Sequence, residues 1–209
     1  MLRTMLCLAL LAAPALAQCD DCPMHEGKKS EAKAAVAPKI VLAVSGAETD
    51  AARVEIARGI EFVLGLVADS LAFDAEGRLP IAIGEGKRVQ LAELATALER
   101  IPTGGATYAI DDTRTTLSGP VRLEVTGLHC DGCAGKVAGR LEGAGSDIAV
   151  KRDGEAATVA LSADGLAVAD LRKKFDGTHF ELGGIAVGAF EACPESGCDA
   201  PGGCCKKKS

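Results

Sequence analysis

The sequence sets Cys130 and Cys133 with two residues between them. Two thiols separated by two residues suit three tasks: holding a soft metal as a pair of thiolates, exchanging disulfides, or closing a static bridge. The spacing alone leaves all three open. Context favours metal exchange, because a thioredoxin-type catalyst works beside a cis-proline and no Pro occurs between Val121 and Ala192. The intervening Asp131-Gly132 also lacks the Gly-Pro or Pro-His chemistry of such catalysts.

Elements on either side must position the pair. Val121, Leu123 and Val125 alternate with Arg122, Glu124 and Thr126, the period of a half-buried strand, and Ala134, Val137 and Leu141 recur at helical spacing. The thiols therefore fall where a strand hands over to a helix. Unpaired N–H groups and the helix dipole there favour thiolate over thiol.

The run Gly127-Leu128-His129-Cys130-Asp131-Gly132-Cys133 resembles the heavy-metal-associated domain of copper chaperones, metal-pumping ATPases and the periplasmic mercury-binding protein. The family motif is Gly-Met-Thr-Cys-x-x-Cys after the first strand. Leu128 stands at the Met position as a buried apolar pin, and His129 at the Thr position. The resemblance covers Val121 to about Glu191 and implies a ferredoxin-like βαββαβ sandwich. It further implies that two thiolates hold Cu(I) nearly linearly at the surface, open to a partner thiolate, with Zn(II) or Hg(II) as other cargoes. Phe180 lies near the position where the family places a Tyr or Phe beside the metal, and as a core residue or a lid it fits equally. His129 could add a third donor suited to Zn(II), or remain an exposed loop histidine that tunes thiolate acidity. His179 has no spacing signal and is expected in a surface loop.

The length of 209 residues suits two compact units, and a composition of 48% hydrophobic and 25% charged residues describes a globular chain. A net charge of −6 with only 3% aromatic residues disfavours nucleic acid, which needs cationic surface and stacking rings. Residues 1–17, MLRTMLCLALLAAPALA, read as a secretory signal peptide with small residues before Gln18, so the expected location is periplasmic or extracellular. The alternative, lipoprotein anchoring at Cys19, meets an obstacle in Gln18, since the residue before a lipidated Cys is normally small. No later apolar run approaches the roughly 20 residues of a membrane span.

The chain has nine cysteines, and Cys7 leaves with the signal. None of the others lies between Met24 and His129, so they cannot staple the first half, and clusters of this kind read as ligands. Residues 18–38 form an N-terminal segment and linker in which Cys19, Cys22, Met24 and His25 offer sulfur and imidazole donors. Its Cys-Pro-Met-His piece resembles a short motif of heavy-metal-binding modules on copper efflux adaptors. The tail, residues 192–209, brings Cys193, Cys198, Cys204 and Cys205 among Pro and Gly, suited to loose thiolate scavenging. Disulfides within each end are the competing reading.

Between the ends, residues 39–118 repeat the order of the second half. Ile40, Leu42 and Val44 alternate, Ala52, Ile56, Ile60 and Val63 mark a helix, Leu71–Phe73 and Leu79–Ile83 flank a turn, and Leu91, Leu94, Leu98 and Ile101 mark a second helix before a strand at 106–110. This predicts an α+β fold of tandem ferredoxin-like units, the first degenerate, with a boundary at Asp111–Pro120 and the second spanning 119–191. Thr49 and Ala52 align with Cys130 and Cys133, so the first copy has no soft-metal ligands. The function expected is an exported, non-enzymatic soft-metal carrier or sequestering protein, serving a metal-transporting or metal-accepting partner. A thiol–disulfide oxidoreductase, or a secreted module with structural disulfides, is the alternative.

Overall fold

The structure is a computed structural model that describes residues 36–102, 107–130 and 132–190. The expectations for the signal peptide, for Cys19, Cys22, Met24 and His25, and for Cys193, Cys198, Cys204 and Cys205 lie outside the described residues.

Alternation builds the first strand, β1 (Lys39–Ser45), which buries Ile40, Leu42 and Val44 on one face. Helix α1 (Asp50–Leu64) begins where the Thr49 hydroxyl accepts the Ala52 N–H at 3.2 Å, and ends at Gly65 in the left-handed region. Strands β2 (Arg78–Ala82) and β3 (Arg88–Gln90), helix α2 (Leu91–Arg100) and strand β4 (Ala109–Ile110) complete the first half. The second half runs β5 (Thr116–Thr126), α3 (Cys133–Arg140), β6 (Ser146–Asp153), β7 (Ala156–Ala167), α4 (Val168–Lys173) and β8 (Glu181–Gly188).

The fold is α+β, with four helices and one eight-stranded antiparallel sheet among the described residues. Its main path is β2-β1-β5-β7-β6, with β4 on β1, β8 on β5 and β3 on β8. Within the second half the order is therefore β8-β5-β7-β6, and the chain runs strand, helix, strand, strand, helix, strand as its periodicity predicts.

Three details differ from the sequence reading, each for a physical reason. Leu71–Phe73 is not a strand, although the turn at Asp74–Gly77 is present. The buried Glu61 carboxylate takes the backbone instead, accepting from Leu71 N at 2.7 Å and Asp69 N at 3.0 Å, so Leu71 N–H is unavailable to a ladder. Strand β3 is too short to read by alternation and exists because β8 offers it an edge, with Val89 opposite Val187. Finally, the polar stretch Asp111–Pro120, expected to separate the halves, feeds directly into β5. Thr116–Ser118 pair with β1, and Thr116 and Leu117 also with the far end of β7.

Continuity across that stretch joins the hydrophobic residues into one core. Leu117 lies opposite Ile40 and Leu166, and both Leu117 and Ile40 are fully buried. Buried Thr115 supports the junction, accepting the Ala43 N–H on its hydroxyl at 3.1 Å. Ile56, Ile60, Leu94 and Leu98 from the first half share this core with Val137 and Leu171 from the second. Each such side chain contributes roughly 1.5–3 kcal/mol through removal from water.

Glu61 links the loop after α1 to acid stability. Its hydrogen bond from Leu71 N, followed by those from Asp69 and Ser70, holds the carboxyl below its ordinary value against the opposing effect of burial. A lowered folded value means that the stabilisation is present above the unfolded value of about 4.3 and is lost as pH falls through the folded one. Urea midpoints should therefore drop more between pH 7 and the acid limb in the wild type than in Glu61→Gln. Equal drops would show that Glu61 does not carry the acid sensitivity.

Candidate functional site

The site is built where β5 ends. Gly127 sits at φ 88°, and a Cβ there would collide with the His179 carbonyl, so only glycine permits the close approach of the β5 end to the segment before β8. The next residue, Leu128, turns inward and is fully buried. Its N–H donates to the Glu155 carbonyl at 2.9 Å, and its carbonyl accepts from the Arg152 guanidinium at 3.2 Å. With Leu128 anchored by packing and by both of its backbone polar groups, the chain beyond it is presented at the surface.

His129 and Cys130 are exposed there, whereas Cys133 is the first residue of α3, only 2% exposed and part of the core. Cys130 and Cys133 are joined by a disulfide, with their Cα atoms 5.3 Å apart. The Cys130 carbonyl also accepts the Cys133 N–H at 3.0 Å, a backbone turn that holds the spacing independently of the sulfurs. The pair is thus asymmetric. One sulfur belongs to a residue that water and a partner can reach, while the other is anchored among apolar neighbours.

Around the pair lie groups that sequence spacing could not connect. His129 Nδ1 is 3.5 Å from Glu155 Oε1, and both side chains are largely exposed, so the contact adds little stability. The His129 ring lies nearly parallel to that of His179, with centroids 6.1 Å apart. His179 is exposed, as expected of a loop residue, but its place beside His129, fifty positions earlier in the chain, was not legible and follows from the approach at Gly127. Phe180 is 4% exposed and packs in the core, with its ring 4.1 Å from that of His179. Behind His179 an open groove of 540 Å³ is flanked by Lys136 and Arg140 of α3.

The first half offers a contrast at the aligned positions. Thr49 spends its hydroxyl on capping α1, and Ala52 is buried, so this strand-to-helix handover is occupied by a structural cap. Among the described residues no group of three or more His, Cys, Asp or Glu side chains is arranged to hold a metal ion, and no helix is long and apolar enough to cross a membrane.

Chemically, a disulfide of this kind opens by taking two electrons and two protons. The thiols so formed could hold one soft cation between them after losing their protons, or attack another disulfide through the exposed Cys130. No family model, no curated protein and no solved structure matches the chain.

Proposed function

We propose that the protein is an exported carrier or sequestering protein for a soft metal, Cu(I) in the first place, and that it is not an enzyme. The observation that carries the reading is the asymmetric Cys130/Cys133 pair at the start of α3, with one residue exposed and the other anchored. Two thiolates at that spacing suit a monovalent soft ion, and an exposed member leaves room for an incoming thiolate to share the ion before taking it. Transfer of this kind needs no bond-making beyond ligand exchange.

The resemblance to heavy-metal-associated domains draws support from the second half, whose strand order β8-β5-β7-β6 and two intervening helices suit a ferredoxin-like unit. We read the first half as a degenerate relative of it, fused through β5. Zn(II) and Hg(II) are the other cargoes of this reading, with His129 as a third donor for the divalent ions. Cys19, Cys22, Met24, His25, Cys193, Cys198, Cys204 and Cys205 would add capacity at the ends, and a metal-accepting protein is the partner. Residues 1–17 would direct export to the periplasm or beyond.

The disulfide favours one second reading, thiol–disulfide exchange. An anaerobic competition titration of the reduced chain from Gln18 with Cu(I), Zn(II) and Hg(II), run beside an insulin-reduction assay, separates the two. Tight stoichiometric Cu(I) binding without insulin turnover is the expected result. Catalytic insulin reduction with only weak metal binding would overturn the carrier in favour of the exchange enzyme.

A further inference from the structure

Helix α1 turns an unusual face to solvent. Among the described residues the exposed large hydrophobic side chains are Val54, Phe62, Val63 and Val67, all within α1 and the turn after it. Phe62 is 87% exposed and Val67 81%. A groove of 480 Å³ runs between α1 and α2 beside Phe62 and Val63, with Gly59 and Ile101 in its lining. Scattered apolar residues need no explanation, but a concentration on one helix beside a groove marks a contact surface.

The occupant is constrained by what the rest of the chain contains. On the proposed reading that residues 1–17, with their run of leucines, are removed on export, the segment 18–35 keeps Met24 as its only large apolar residue, and 191–209 has no Leu, Ile, Val, Phe or Met. Neither end can fill an apolar groove, so the cover must come from another molecule. The charges say which. Ala51, Glu55, Arg58 and Phe62 recur at steps of three and four, share one face of α1, and are all exposed.

We propose that this face binds the same face of a second copy, with the two α1 helices antiparallel about a twofold axis. When the axis passes between Ile56 and Ala57, Glu55 meets Arg58 of the second copy and Arg58 meets its Glu55. The same placement lays Phe62 over Ala51, the smallest side chain on the face. A self-complementary patch of this kind is what an isologous dimer requires. Among the described residues Arg58 is held only by a 3.8 Å contact to exposed Asp69, which leaves it able to turn to a new partner. One helix pair lies at the low end of specific interfaces, below about 1,200 Å² in total, so the dimer forms reversibly with concentration.

Sedimentation velocity on the reduced, metal-free chain from Gln18 over a concentration series tests this, reduction excluding disulfide-linked dimers. A monomer–dimer equilibrium is expected, weakened roughly tenfold or more by Phe62→Ser, a substitution at a site too exposed to threaten folding. Glu55→Arg and Arg58→Glu should each weaken it, and the two together should restore it, since the swapped pair is again complementary to itself. A chain that stays monomeric throughout, a dimer indifferent to Phe62→Ser, or a double variant as weak as the sum of its singles would each overturn the proposal.

Discussion

Replacing Cys130 by Ser in the reduced protein should remove one tight equivalent of Cu(I), measured against a competing chelator in a background whose terminal cysteines are all Ser. Structural zinc sites with four Cys or His donors bind with about 10–16 kcal/mol, so each donor is worth several kcal/mol and its loss weakens binding about a hundredfold or more. Fold stability should hardly change, because Cys130 is exposed. Cys133→Ser should lose the same equivalent but also stability, since a hydroxyl would replace a thiol that is 2% exposed in the core, at a cost of roughly 1–3 kcal/mol. Cys133→Ala separates the two effects, losing metal while keeping an apolar group. If either single variant binds Cu(I) as tightly as its parent, the pair is not the metal site.

The second large effect concerns the junction. Leu117→Ala should destabilise the whole protein by about 2–5 kcal/mol, because it empties a fully buried position between Ile40 of one half and Leu166 of the other. Tyr108 is the sole Tyr, is buried and belongs to the first half, so its fluorescence reports that half while far-ultraviolet circular dichroism reports the whole. In both wild type and variant the two signals should change together in urea, the variant at lower concentration. A Tyr108 transition separate from the rest would mean that the halves unfold independently and that the shared sheet does not couple them.

Much of the architecture was legible in local pattern. The alternation at Val121–Thr126, the helical spacing of Ile56 and Ile60, and the leucines at 91, 94 and 98 each predicted an element that is present, since burying one face of a strand or helix dictates that pattern. The family resemblance, not the local period, implied a buried Leu128, and one of the two readings of His129 left it exposed; both are found so. What failed was local inference where a distant partner set the outcome. Leu71–Phe73 has strand-like residues, yet the Glu61 carboxylate captures the Leu71 N–H. The polar run before Pro120 looks like a linker, yet β1 and β7 present open edges to Thr116–Ser118, and pairing satisfies backbone groups that a loop would leave to water.

The same division holds at the site. Sequence by itself placed Cys130 and Cys133 at a strand-to-helix handover, because that depends only on the periods of the residues flanking them. It could not tell that Cys133 is anchored in the core while Cys130 faces solvent, nor that His179 stacks beside His129. The first depends on how α3 packs into the shared core, and the second on how closely the end of β5 approaches the segment before β8, a distance set by Gly127 having no side chain to keep the His179 carbonyl away. Local periodicity is written in neighbouring residues, whereas exposure and proximity are decided only when strands far apart in the chain share one sheet.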